Sequence, residues 1–272
     1  MYTIFYIPKR DGKKYRRIEA PEPNLKVKQR RLLTELGKIA GASPFAFGFV
    51  KNKNIAQNAK IHEGSKFILK IDINNFFPSI TYDNFEKEVS RQDSRILELV
   101  KEHKDELFWQ FEDDKCPRLP QGAPTSPMLS NIFLYKFDWI IAWKAYKNNV
   151  RYSRYADDII LSGDDPKVLK YIYTIIKYTL NKMGLTVNYK KVHLLSNKTR
   201  QTVTGLVVNQ KANLQRKLRK RIRAALFQAK VNNKIPDARI RGYLALQNMI
   251  TTTNKPDNNI EICTILEVSK QI

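Results

Sequence analysis

Apolar and polar residues alternate, cluster or recur at helical spacing in different parts of the chain, and each pattern predicts an element. Alternation at 3–8 and 14–20 predicts two strands, and Asp11-Gly12 between them is a hairpin turn signal. Pro21 and Pro23 end the second strand. Leu25, Leu32, Leu33, Leu36 and Ile39 recur at helical spacing, with Gly41 as the stop. The aromatic, turn-rich run Pro44-Phe45-Ala46-Phe47-Gly48-Phe49 precedes a polar helix reaching about His62. Phe67-Ile68-Leu69-Lys70-Ile71-Asp72-Ile73 predicts a buried strand that carries an acid at its end. Helices are expected near 81–89 and 94–112, then a loop punctuated by Pro120, Gly122, Pro124 and Pro127. Met128, Leu129, Ile132, Phe133, Phe137, Ile140 and Ile141 predict one long amphipathic helix.

Val150, Tyr152 and Arg154 lead into Tyr155-Ala156-Asp157-Asp158, and Ile159, Ile160 and Leu161 lead out to Ser162-Gly163-Asp164. This reads as a β-hairpin with two adjacent carboxylates at its tight turn. A helix at about 166–183 stops at Gly184, and short strands are expected near 185–188, 191–195 and 202–208. From about Leu214 the pattern is helical throughout: Leu214, Leu218, Ile222 and Ala225 form a stripe beside Arg216, Lys217, Arg219, Lys220, Arg221 and Arg223. That shift places a domain boundary near 211, dividing the chain into 1–211 and 212–272.

Charge changes the picture more than composition does. The 272 residues are 42% hydrophobic, enough for one or two ordinary globular domains. Lys and Arg number 49 against 26 Asp and Glu, a net +23, which implies a polyanionic partner. An anionic membrane is the rival, but no apolar run approaches the ~18 residues of a spanning helix, and Met1-Tyr2-Thr3-Ile4 lacks a signal-peptide layout. Cys116 and Cys263 match no metal spacing; a reduced cytoplasmic protein is the expectation, with a single disulfide between them as the alternative.

Adjacent acids such as Asp157 and Asp158 repel, and a fold tolerates them best with a cation between them. Oxygen ligands of this kind suit Mg²⁺, which takes one or two carboxylates plus substrate phosphates; a solvated turn is the plain alternative. Asp72 is a third acid at a strand end, where an N-cap or surface role competes. A strand-end acid plus a hairpin with two more is the layout of a two-metal site for phosphoryl transfer. Leu119-Pro120-Gln121-Gly122-Ala123-Pro124-Thr125-Ser126-Pro127 presents backbone at fixed geometry ahead of a helix, as a platform under a nucleotide or as a rigid connector.

Together these segments resemble the reverse transcriptases. Asp72 with Phe76-Phe77 is similar to the first catalytic motif, Leu119 to Pro127 to the Leu-Pro-Gln-Gly motif, and Tyr155 to Asp158 to the Tyr-x-Asp-Asp box. The resemblance covers about 5–210, and more loosely to about 250. It implies an α+β right-hand polymerase: fingers, a ferredoxin-like palm with an antiparallel sheet, and a helical thumb. It implies that Asp72, Asp157 and Asp158 hold two Mg²⁺ ions, with the Ile73 carbonyl as an extra ligand. Phe77 would crowd a ribose 2′-OH, with Phe76 competing for that role and a core position as the alternative. Gln121 would lie near the incoming dNTP, and Lys9 and Arg16 would grip its triphosphate. Arg10, Lys13, Lys14 and Arg17 beside them read equally as a solvated cationic face. Lys191 resembles the lysine that protonates departing pyrophosphate, with Lys190 as rival.

Two further runs resemble retron reverse transcriptases: Asn58-Ala59-Lys60-Ile61-His62 and Val203-Thr204-Gly205. Asn58 and His62 are assigned a structural or RNA-contact role, and Val203 to Gly205 support for the primer or a plain strand and turn. The resemblance implies a bacterial, cytoplasmic enzyme that copies a structured noncoding RNA from a 2′-OH within it, giving branched RNA–DNA. An accessory effector protein and a role in antiphage defence are further implications; another bacterial reverse transcriptase (group II intron-like, diversity-generating or abortive-infection) or a non-catalytic RNA-binding scaffold is the alternative. The span leaves no room for an endonuclease, maturase or RNase H domain. Arg216, Arg219, Lys220 and Arg223 would lie along RNA or RNA–DNA phosphates.

Overall fold

The computed structural model describes residues 1–9, 12, 14–90, 92–112, 114–231 and 238–253, without the Arg239 side chain. Arg10, Asp11, Lys13, Cys263 and the tail after Thr253 lie outside the described residues. An antiparallel ribbon opens the chain, β1 (Tyr2–Pro8) paired with β2 (Tyr15–Pro21). Beyond the last pair the Lys9 amide donates to the Lys14 carbonyl at 2.7 Å. Helix α1 (Pro23–Ile39) begins on a proline suited to a first turn and buries Leu32 and Leu36. Helix α2 (Ile55–Lys60) starts with a reciprocal capping box: Asn54 Oδ1 accepts from the Ala56 and Gln57 amides, and Gln57 Oε1 from the Asn54 amide.

Strand β3 (Phe67–Asp72) is followed by α3 (Phe76–Ser79), α4 (Tyr82–Val89), α5 (Ser94–Glu102) and α6 (Lys104–Leu107). The single helix expected over 94–112 therefore breaks at His103 and stops at Leu107. There the backbone leaves the helix to pair Trp109 with Arg118, each donating to the other at 3.0 and 3.1 Å, while Phe108 and Phe111 turn inward. Helices α7 (Ser126–Phe133) and α8 (Tyr135–Lys147) replace the one expected after the Pro-rich loop. Leu134 between them still accepts from Asp138 and donates to Ser130, so the break is a kink at a buried leucine.

The hairpin β4 (Arg151–Tyr155) and β5 (Asp158–Gly163) follows as expected, then α9 (Pro166–Lys182), capped by Asp165 and ended near Gly184 at φ +78. The strand expected over 185–188 reduces to a bridge between Val187 and Ile73. A 3₁₀ turn at Tyr189–Lys191 precedes β6 (His193–Ser196). The expected strand at 202–208 is a small hairpin, β7 (Thr202–Val203) and β8 (Leu206–Val207), turning at Thr204 and Gly205 with φ +46 and +87. Helices α10 (Arg216–Val231) and α11 (Ala238–Thr253) complete the described chain. Among the described residues no helix is long and apolar enough to cross a membrane.

The central sheet has the order β4-β5-β3-β6, every pair antiparallel. Successive strand side chains point to opposite faces, and here each face has its own core. Leu69, Ile71, Ile159 and Leu161 join the main cluster, which includes Phe133, Phe137, Ile141, Leu169 and Ile172 of α7, α8 and α9. Ile68 and Ile160 enter a second cluster with Ala56 and Ala59 of α2, Val203 and Leu206, and Leu214, Ile222 and Ile250 of the helical tail. Each fully buried aliphatic side chain contributes ~1.5–3 kcal/mol. Ala212 and Leu214, beside the boundary expected near 211, are buried in that second cluster.

Candidate active site

Asp72 and Asp158 are cross-strand partners at the end of the β3–β5 ladder. Pairing fixes both carboxylates on one face, the face that carries Ile68, Lys70 and Ile160 lower down. Asp157 sits in the two-residue turn between β4 and β5, after Ala156 at φ +57. Its carbonyl accepts from the Ile73 amide at 3.1 Å, tying the end of β3 to the turn. Asn188 locks Asp72 from the other side: its amide donates to the Asp72 carbonyl at 2.8 Å and Nδ2 to Oδ1 at 3.1 Å. Lys191 Nζ donates to Asp72 Oδ2 at 2.7 Å.

Burial, then the neighbouring charge of Asp157, pushes the Asp158 carboxyl up to about 6, against the pull of Lys70. Burial also raises Asp157, aided by Asp72 and opposed by Lys191 and Arg16. Burial works against the Lys191 charge, but its hydrogen bond to Asp72 and the three carboxylates outweigh it, and its pKa is raised. The charge of Arg16, on the finger ribbon, is thus felt at Asp157. Among the described residues no three His, Cys, Asp or Glu side chains are drawn together as a ready-made ligand cage. The acids form an open edge of oxygen donors, and burial disfavours the charged forms of Asp157 and Asp158. That chemistry fits a hard cation completing its shell with water and phosphate.

The chain matches the family described as reverse transcriptase (RNA-dependent DNA polymerase) over residues 7–234. The chain belongs to this family. It is 33% identical over 262 residues to the retron Mx65 reverse transcriptase of Myxococcus xanthus, covering 92% of this chain and 61% of that protein. It is 34% identical over 237 residues to the retron Ec83 reverse transcriptase of Escherichia coli, covering 84% and 76%. These place it in the retron branch, although the chain spans under two thirds of the Mx65 protein's length. Solved telomerase structures share its fold: one from Candida albicans with a fragment of telomeric RNA aligns at TM-score 0.55 and 14% identity, covering 78% of this chain and 45% of the other. The right-hand polymerase architecture is therefore that of this retron-type chain.

The finger ribbon exposes Lys9 and Arg16. Arg17, beside them, is not a solvated cation: its Nε lies 3.2 Å from Glu19 Oε1, and its guanidinium stands 4.7 Å from the centre of the Phe111 ring. The Pro-Gln-Gly loop is latched to β2. The Gln121 amide donates to Glu19 Oε2 at 2.7 Å, Glu19 donates its amide to the Gln121 carbonyl at 2.9 Å, and Arg118 grips both Glu19 oxygens at 2.7 and 3.1 Å. Gly122 has φ +149, and a Cβ there would meet the Glu19 carbonyl oxygen at 2.5 Å.

Several assignments need correction. Phe76 is a core residue, 6% exposed, which removes it as a rival for the ribose-facing position. Phe77 is half-buried, with its ring centre 5.2 Å from that of Phe76 and 6.0 Å from that of Phe49. Asn58, His62 and Val203 are fully buried, so none offers its side chain to RNA. His62 bridges two strands instead, Nδ1 2.8 Å from Ser162 Oγ and Nε2 2.7 Å from Ser153 Oγ. The two retron-type segments meet in one place: Thr204 Oγ1 donates to the Ile55 carbonyl at 2.9 Å, and Ala59 and Val203 share the second core. Arg216, Arg219, Lys220 and Arg223 are exposed on α10, whose Ile222 faces that core.

Four residues in this site were not anticipated. Asn188 is adjacent to the lysine motif, but its role depends on the approach of Asp72. Asn131, Asp138 and Arg154 form a buried polar group behind the turn. A polar residue inside the apolar stripe of α8 and an arginine ahead of the acids were the available signals.

Proposed function

We propose that the chain is an RNA-directed DNA polymerase of the retron type, which extends a primer with dNTPs on a structured noncoding RNA. The observation that carries this is the cross-strand pairing of Asp72 with Asp158, beside an Asp157 on which the charge of Arg16 from the finger ribbon acts. Reverse transcriptases use divalent metal ions, and Asp72, Asp157, Asp158 and the Ile73 carbonyl are the groups here that would hold two Mg²⁺. Bound there, the ions would favour the ionised primer hydroxyl and offset charge on the triphosphate.

The chain's own residues supply the rest. Lys9 and Arg16 hold the triphosphate from the fingers, Arg by paired hydrogen bonds and Lys as a point charge. Gln121, fixed through its backbone to Glu19, lies under the nucleotide. Phe77 crowds the ribose at its 2′ position and so favours deoxynucleotides. Lys191, whose hydrogen bond to Asp72 supports this role, gives a proton to departing pyrophosphate. The basic face of α10 follows the phosphates of the RNA–DNA duplex. Priming from an RNA 2′-OH, a branched product, an accessory effector, a bacterial cytoplasmic location and a role in antiphage defence complete the proposal.

Mg²⁺-dependent dNTP incorporation by wild type and Asp157→Asn tests it. Loss of about three orders of magnitude in the variant is expected, since a metal's stabilisation is several kcal/mol and each 1.4 is tenfold. Equal incorporation refutes the metal assignment and leaves an RNA-binding scaffold. Sequencing nucleic acid that co-purifies with the protein tests the branch: a branched RNA–DNA species supports retron priming, and an unbranched cDNA refutes it.

A further inference from the structure

Arg154, the strand residue just before the Tyr155–Asp158 turn, is fully buried, and so is its partner Asp138 on α8. The pair is bidentate, Nε to Oδ1 at 2.8 Å and Nη2 to Oδ2 at 2.7 Å. Asp138 also accepts from the Tyr152 hydroxyl at 2.6 Å and from the Ser43 hydroxyl. Burying two charges is a poor way to gain stability, because apolar residues of equal volume often do as well or better. The remaining nitrogen shows what else this pair does. Arg154 Nη1 donates to the Ala156 carbonyl and to Asn131 Oδ1, each at 3.1 Å.

Ala156 needs holding, because at φ +57 it occupies a left-handed conformation unfavourable to a residue with a Cβ. Asn131 extends the support by donating Nδ2 to the Gly48 carbonyl at 3.1 Å. Gly48 in turn lies against the Ala156 backbone. The segment leading to it is stitched to β4, with the Arg154 amide donating to the Phe45 carbonyl at 2.9 Å and the Phe47 amide to the Arg154 carbonyl at 2.7 Å. Lys53 Nζ fastens the same segment through the Ala46 carbonyl at 2.9 Å.

We infer that Arg154, anchored by Asp138 and relayed through Asn131, is a positioning residue that sets where Asp157 and Asp158 present their carboxylates. The inference rests on the reading of those acids as the metal-holding pair. Arg154 touches neither nucleotide nor metal; it acts through the Ala156 carbonyl and the wall at Gly48.

Two variants test this. Asn131→Ala leaves the Arg154–Asp138 pair intact and cuts the relay. Arg154→Lys keeps the charge but lacks the planar fork needed to hold Asp138 and Ala156 together. Four quantities are read on the full chain: melting temperature, template–primer affinity, kcat and KM for dNTP, and Mn²⁺ binding by electron paramagnetic resonance. Residues that orient metal ligands typically cost about 10–100-fold in metal affinity or activity. For Asn131→Ala, kcat and Mn²⁺ affinity should fall by about tenfold or more, with near-wild-type melting, template–primer affinity and KM. Arg154→Lys should lower kcat and Mn²⁺ affinity further and also lower the melting temperature, because the buried Asp138 loses its paired hydrogen bonds. An Asn131→Ala protein with wild-type kcat and Mn²⁺ affinity overturns the inference, as does a loss that only tracks melting. If wild type and Asp157→Asn incorporate dNTP equally, the underlying metal reading fails and the inference falls with it.

Discussion

Gly48 lies against Ala156 with no room for a methyl group: a Cβ at position 48 would stand 2.4 Å from the Ala156 nitrogen. The obstacle is backbone, so it cannot swing aside as a flexible side chain would. Gly48→Ala must displace either its own loop or the turn that carries Asp157. Overpacking of this kind costs ~1–3 kcal/mol. The expected result is a folded protein with a modestly lower denaturation midpoint and dNTP incorporation reduced by about tenfold or more, as for other residues that orient metal ligands. Wild-type activity in Gly48→Ala would show that the turn tolerates movement.

His62 gives the fold a specific acid sensitivity. Burial, and secondarily the charge of Arg151, lowers its pKa to about 3, against an ordinary 6.5. The folded state therefore keeps the ring neutral between Ser153 and Ser162, while the unfolded chain takes up a proton below about pH 6.5. This contribution is complete above pH 6.5 and is lost as pH falls from there towards 3. Well between the two values the slope is about 1.4 kcal/mol per pH unit. Denaturant titrations at pH 7.5 and 5.5 should show wild type losing more stability than His62→Gln over that interval. Equal losses would mean that the ring is not held neutral.

The alternating pattern made the central strands and their acids legible, because register, not distant packing, puts Asp72 beside Asp158. Gln121 and Lys191 sit in a loop turn and a 3₁₀ turn, and only the resemblance of their segments to family motifs marks them. The support behind the acids was not legible. Nothing local to Arg154 shows its partner; the Asp138 carboxylate from a helix formed earlier in the chain makes its burial possible. For Asn58 and His62 the family resemblance left a structural role and an RNA contact both open. Whether a polar side chain is enclosed depends on remote partners, here Ser153 and Ser162, that periodicity does not reveal. The helix breaks at His103 and Leu134 escaped notice because neither carries a Gly or Pro.

Phe77 should govern sugar choice. Its ring is backed by Phe76 and flanked by Phe49, so it cannot retreat from a ribose without disturbing both. Phe77→Val is expected to raise ribonucleotide incorporation relative to deoxynucleotide by about tenfold or more, the effect of removing ~1.4 kcal/mol of clash. Competition assays with paired rNTP and dNTP check it, and an unchanged ratio moves the gate elsewhere.

The exposed cations of α10 should appear in the salt dependence of RNA binding. Each phosphate contact removed lowers the slope of log affinity against log salt by about 1. Arg219→Ala with Arg223→Ala should therefore flatten the slope by about 2, without changing the denaturation midpoint, since both side chains point to solvent. Filter binding across a salt series reads this directly, and an unaltered slope would take the helix off the nucleic acid.

Because each face of the central sheet has its own core, a mutational scan along β3 and β5 should oscillate with a period of two. Substitutions at Leu69, Ile71, Ile159 and Leu161 would loosen the block made with α7 to α9 and register as lowered expression or melting. Those at Ile68 and Ile160 would loosen the second core, where the terminal helices are seated, and those at Asp72 and Asp158 on the same side would register as altered synthesis. Odd and even positions of the same strand thus answer to separate selective pressures.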